Sequence, residues 1–144
     1  MKDIDFSMEE MLPLLSEVLE SGGEFRFYPK GTSMLPLLRQ GVDSVALVEP
    51  ERLKKGDICL FRRADGAFVL HRLVGIQKDG RLSFRGDNQA VTETDVDPSR
   101  VIAVASRVFR GERAVKPYAL WYRITRLSAL ARVLRFKNKR NRHI

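Results

Sequence analysis

The chain has 144 residues, 44% hydrophobic and 31% charged, with one cysteine and a formal net charge of +8. That length suits one ordinary core and argues against two, and no run approaches the roughly 18 apolar residues of a transmembrane helix. The lone Cys59 excludes an internal disulfide and fits a reducing, cytoplasmic setting, and its apolar neighbours read it as a small buried hydrophobe.

The first ten residues carry Lys2 and four acids with no apolar block behind them, which reads against a secretory signal peptide. Ser7 to Leu19 reads as a helix. Ser7 is a candidate N-cap, Glu10 completes a capping box, and Gly22-Gly23 ends the segment. Pro13 lies inside this span, so a start just before it is the alternative. Phe25 to Tyr28 alternates as a strand. Val45–Val48, Asp57–Phe61, Phe68–Gly75, Leu82–Arg85 and Val101–Phe109 read as further strands. Between them, residues 63–67 (Arg-Ala-Asp-Gly-Ala) and 78–81 (Lys-Asp-Gly-Arg) are hairpin turns. The expected class is mostly β, α+β, with short strands and flanking helices. Residues 1–24 would be the N-terminal helix, 25–112 the β domain, and 113–144 a basic helix and tail.

That last segment is set apart by charge. All 18 acids lie within residues 1–112 beside 16 Lys/Arg, a net −2, whereas residues 113–144 hold 10 Lys/Arg and no acid. Leu120, Trp121, Ile124, Leu127, Ala131 and Leu134 recur at steps of three and four, with Arg123, Arg126 and Arg132 largely off that stripe. A basic amphipathic helix suits an anionic membrane surface or an acidic partner. It equally suits packing of the apolar face on the domain, with the charges solvated.

Three segments could each supply one member of a Ser/His/Asp constellation: residues 30–36 (Lys-Gly-Thr-Ser-Met-Leu-Pro), Leu70-His71-Arg72-Leu73 and Gly86-Asp87-Asn88. A serine hydroxyl needs an adjacent base to act as a nucleophile, and the base needs an orienting partner. Ser33 and His71 are 38 residues apart, and His71 and Asp87 are 16 apart, so only a folded scaffold could assemble them. The other histidine, His143, sits in the basic tail, which leaves His71 as the candidate base. Taken singly, Ser33 is an ordinary turn serine, His71 a packed strand residue and Asp87 good turn chemistry. No Cys/His cluster has metal-ligand spacing and no Gly-rich phosphate loop occurs, so neither metal nor cofactor is expected.

Taken together the segments resemble the signal peptidase I and LexA-like serine peptidases. Gly-Thr-Ser-Met-Leu-Pro-Leu-Leu-Arg-Gln-Gly is similar to that family's nucleophile box, and Lys55-Gly56-Asp57-Ile58-Cys59-Leu60-Phe61 to its KGDIVxF strand. Val69 to Val74 occupies the place of the general base, in the histidine form of the archaeal, endoplasmic-reticulum and sporulation-type enzymes. Phe84-Arg85-Gly86-Asp87-Asn88 matches the GDN box. The likeness spans roughly Phe25 to Val108, and four ordered boxes are far more specific than one. It implies a β-rich catalytic core in which Ser33 attacks, His71 serves as base and Asp87 orients it. Gly31, Thr32, Met34 and Pro36 would shape the substrate and oxyanion side.

The departures are also plain. Gly41-Val42-Asp43 has one residue more than the usual Gly-Asp, enough to bulge a strand, and glycine at 31 leaves oxyanion stabilisation mainly to backbone N–H groups. The N-terminal membrane anchor of typical signal peptidases is missing from the sequence. The expectation is therefore a serine endopeptidase acting on a peptide or protein precursor, cytoplasmic or peripheral at a membrane through its tail. The family's preference for small residues before the cut carries over by resemblance alone. Two alternatives stand: a LexA-like self-cleaving regulator, disfavoured because about 30 N-terminal residues are too few for a helix-turn-helix domain, and an inactive scaffold whose tail binds membrane or nucleic acid.

Overall fold

Eight strands and one α-helix make up residues 8–115, the part of the chain that the computed structural model describes. The tail with Trp121, Arg123, Arg126 and Arg132 lies outside the described residues. The architecture is the α+β, mostly β class read from the sequence. Helix α1 (Met8–Glu20) packs through Leu15 and Leu19, with Met8 and Leu12 completing a stripe at helical spacing. Pro13 sits inside it on the exposed face, where water can satisfy the carbonyl that proline leaves unpaired. Gly22 ends the helix at φ +79°. Its N–H donates to Leu19 O while the Gly23 N–H donates to Val18 O, the paired bonds of a Schellman cap.

The strands are β1 (Phe25–Phe27), β2 (Ser44–Val48), β3 (Ile58–Arg62), β4 (Phe68–Ile76), β5 (Leu82–Arg85), β6 (Glu93–Val96), β7 (Val101–Arg110) and β8 (Arg113–Val115). They form one antiparallel sheet in the order β1-β2-β7-β3-β4-β5-β6, with β8 also paired to β7. Both expected hairpin turns are present. Arg63 N–H donates to Ala67 O and Gln77 N–H to Arg81 O. The extra residue Val42 is absorbed in the turn ahead of β2, and the irregularity of β2 against β7 falls instead between Ala46 and Leu47. Strands β6 and β8 were not anticipated.

Alternation along β3 and β4 divides the interior in two. Ile58, Leu60 and Leu70 join Val45, Leu47, Ala103, Val108 and the α1 leucines in one cluster. Cys59, Phe61, Val69 and Leu73 join Leu82, Phe84 and Val96 in the other. Each fully buried leucine, valine or phenylalanine contributes about 1.5–3 kcal/mol. Strand β4 is buried on both faces from Val69 to Leu73, yet His71 and Arg72 stand in the middle of that run. Burying two such polar side chains is costly without partners. Arg72 has such partners, whereas the His71 Nδ1 has none. Among the described residues, no helix is long and apolar enough to cross a membrane.

Candidate active site

Ser33 lies in a tight turn, residues 31–37, between β1 and β2. The turn enters through Gly31 at φ +84°, a left-handed conformation that favours glycine, and the Gly31 N–H donates to Gln40 Oε1 at 3.0 Å. That donor is therefore engaged and not free to hold an oxyanion. Met34, Leu37 and Leu38 root the turn in the first core cluster. Leu35 N–H donates to Thr32 O and Leu38 N–H to Met34 O, tightening it further. Among the described residues, the Ser33 N–H and hydroxyl make no hydrogen bond.

The turn after β5 braces this segment from the other side. Asn88 donates from its backbone N–H to Ser33 O at 2.9 Å and from Nδ2 to Thr32 O at 3.1 Å. Gly86 approaches so closely that a Cβ there would lie 2.6 Å from Ser33 O. A side chain has no room.

Asp87, between these two residues, holds the turn to β4. Arg72 Nε donates to Asp87 Oδ1 at 3.1 Å and Nη2 to Oδ2 at 2.7 Å, with side-chain exposures of 0% and 4%. Arg72 Nη1 also donates to Gly56 O at 2.9 Å. One guanidinium thus joins the Lys55-Gly56-Asp57 turn, the β4 strand and the Gly86-Asp87-Asn88 turn, and Asn88 carries the connection on to Ser33. The four segments singled out in the sequence are joined through polar contacts, buried at Arg72 and exposed at Asn88.

His71 follows a different course from the expected one. It is 4% exposed, faces Cys59 across β3 and meets the Phe61 ring edge-on at 6.4 Å. Its Nδ1 has no hydrogen-bond partner, and both Asp87 oxygens are engaged by Arg72. Asp87 therefore anchors its turn on Arg72 while the neighbouring Asn88 holds the Ser33 turn, in place of the orienting contact with His71 that the sequence suggested. Burial pushes the His71 imidazole below its ordinary range. Glu93 opposes this, Arg63 adds to it, and Asp87 opposes it more weakly. Burial likewise pushes the Cys59 thiol up to about 12, with the Asp57 charge adding to the effect. Such a thiol stays protonated and inert.

Ser33 and His71 line one cleft of about 250 Å³. Met34, Leu38, Phe68, Val69 and Leu70 give it apolar walls, and Pro29, Lys30, Gly31, Arg63 and Gln89 complete the lining. Of the other expected site residues, Gly31 and Met34 line the cleft while Thr32 and Pro36 are exposed and do not. Asp87 does not line the cleft. The residues missed by sequence reasoning are Arg72 and Asn88, which hold the frame, and Arg63 and Glu93, whose charges reach His71. Glu93 accepts from Arg63 Nε at 2.8 Å and also from Nη2, both on Oε1. Among the described residues, no group of three His, Cys, Asp or Glu side chains could hold a metal ion. The chain matches no protein-family model, no curated protein and no solved structure.

Proposed function

We propose that this protein is a serine peptidase of the signal peptidase/LexA-like kind in its histidine form. The observation that carries the reading is the meeting of Ser33 and a buried histidine on one cleft, with the Ser33 turn clamped by the Gly86-Asp87-Asn88 segment. His71 takes the Ser33 hydroxyl proton as Oγ bonds to the scissile carbonyl carbon. The tetrahedral adduct collapses, the C–N bond breaks, and the amine leaves with that proton. Water then repeats the sequence on the acyl-serine, regenerating Ser33. The uncommitted Ser33 N–H suits the oxyanion, and the apolar walls suit a small apolar substrate side chain. The second reading is an inactive scaffold. It draws on the absence, among the described residues, of a hydrogen bond between Ser33 and His71. Such contacts are often long in unliganded enzymes and tighten on substrate binding.

A serine-reactive phosphonate should label Ser33, located by mass spectrometry of the digested protein. Because burial lowers the His71 pKa, the neutral base persists to lower pH. The labelling rate should rise through a midpoint below the ordinary histidine value of about 6.5 and be level at neutral pH. A rise only in the alkaline range would mean a different base, and no labelling at any pH would favour the scaffold. The same shift has a stability consequence. Above about 6.5 the imidazole is neutral in the folded and unfolded chain alike, so its titration takes nothing from stability there, and stability is lost as pH falls from there through the lower folded-state value.

Gly86→Ala tests the clamp. The added methyl meets the Ser33 carbonyl, so either turn must shift. We expect a stability loss of about 1–3 kcal/mol, measured by urea unfolding. Displacing the nucleophile should lower turnover on the order of 100-fold. Wild-type turnover in a folded Gly86→Ala protein would show that the close approach does not position Ser33.

A further inference from the structure

We propose that Glu93 is the counter-charge of His71, with Arg63 as the cation that offsets it, so that β6 and the turn after β3 tune the base from across the sheet. The proposal rests on the reading of His71 as the general base. Paired residues of antiparallel strands project to the same face. Cys59 pairs with His71, Phe61 with Val69, Leu73 with Phe84, and Phe84 with Glu93. His71 and Glu93 therefore share the face that carries the second core cluster. Between them, Phe61 meets His71 edge-on and stacks at 4.3 Å on Phe84, the residue that pairs with Glu93. Arg63, the residue after β3, lines the cleft beside His71 and donates to Glu93.

The hydrogen-bond inventory points the same way. Arg63 donates from Nε and Nη2 to the same oxygen, Glu93 Oε1, and Oε2 accepts none among the described residues. His71 Nδ1 is buried and unpartnered. Asp87, by contrast, has both oxygens on Arg72, whose side chain leaves β4 toward the opposite face. The charged or titratable groups around His71 are Glu93 from β6, Arg63 from the turn after β3, Asp87 from the β5–β6 turn and the protonated Cys59 thiol from β3. Lys30 also lines the cleft. Of these, Glu93 acts most strongly to favour the imidazolium and Arg63 most strongly against it. Ser33 attack transfers a proton to His71, and a half-buried carboxylate on the same face stabilises the charge thus formed.

The test is an NMR titration of the His71 ring in the full-length chain, assigned by deleting the only other histidine signal with His143→Gln. Glu93→Gln should move the His71 midpoint to lower pH, and Arg63→Gln should move it to higher pH. General disturbance of the fold would not produce shifts of opposite sign. If Glu93→Gln does not fold, Glu93→Asp takes its place, and the Arg63→Gln shift must still be upward. Unmoved midpoints, shifts in one direction, or an imidazole that stays neutral in every variant would each overturn the proposal. The titration needs no cleavage, so the two readings fail separately. Opposite shifts in a protein that cleaves no peptide overturn the peptidase reading and with it the catalytic role of Glu93. Cleavage with unshifted midpoints overturns the Glu93 proposal alone.

Discussion

Ser33→Ala should lower peptide turnover by about six orders of magnitude, since removing the nucleophile from a unit of this kind costs nearly all that the unit supplies. The fold should survive the change. The Ser33 hydroxyl makes no hydrogen bond among the described residues, while the backbone contacts that fix the turn come from its carbonyl. Unfolding free energies of the two proteins from urea titration should agree to within about 0.5 kcal/mol, as for a substitution away from structural features. Single-turnover cleavage of a peptide, with contaminating protease excluded, is the deciding measurement. Cleavage retained at the wild-type rate would end the serine mechanism.

The largest stability effect belongs to Asp87. Asp87→Ala leaves the Arg72 guanidinium, which has no solvent exposure, without its bidentate partner, and breaking a buried pair in this way costs about 3–5 kcal/mol. Because that pair also suspends the turn that clamps Ser33, activity should fall along with stability. Replacing both partners by apolar residues, Asp87→Leu with Arg72→Met, should recover much of the loss, since a hydrophobic substitute for a buried ion pair is often neutral or better. Recovery will be partial because Arg72 also serves the Gly56 carbonyl. Equilibrium unfolding of the three proteins checks this. A loss under about 1 kcal/mol in Asp87→Ala would mean that the pair does not hold the frame.

Much of the fold was legible because it rests on local rules. Phe68 to Gly75 read as a strand from its apolar run, the Asp65-Gly66 and Asp79-Gly80 pairs announced their turns, and Gly22-Gly23 marked the end of α1. Strand β6 escaped because Glu-Thr-Asp-Val is polar, short and at the sheet edge, with Asp95 at φ +61°. Its residues lack the pattern by which a buried strand is recognised. For the site, Ser33 and His71 could be found because each carries distinctive chemistry within a recognisable segment. The partners of Asp87 could not. A Gly-Asp-Asn turn does not state which cation it faces, and an arginine beside a candidate base looks like a surface residue until the register turns it inward. Glu93 was hidden more deeply still, since its link to His71 runs across two strand pairings.

His71 and Arg72 are neighbours on β4 and so project to opposite sides of the sheet, one toward the cleft and the other toward Gly56 and Asp87. Deleting one residue of β4 ahead of His71 would put the permanent cation of Arg72 in its place on the cleft, and inserting one there would put the imidazole opposite Asp87. Length changes in this chain should therefore be excluded from β4 and concentrated in its hairpin tips, where residues 63–67 and 77–81 already close their strands through backbone bonds. A library of single-residue deletions, scored for folded protein, would trace that boundary along the chain.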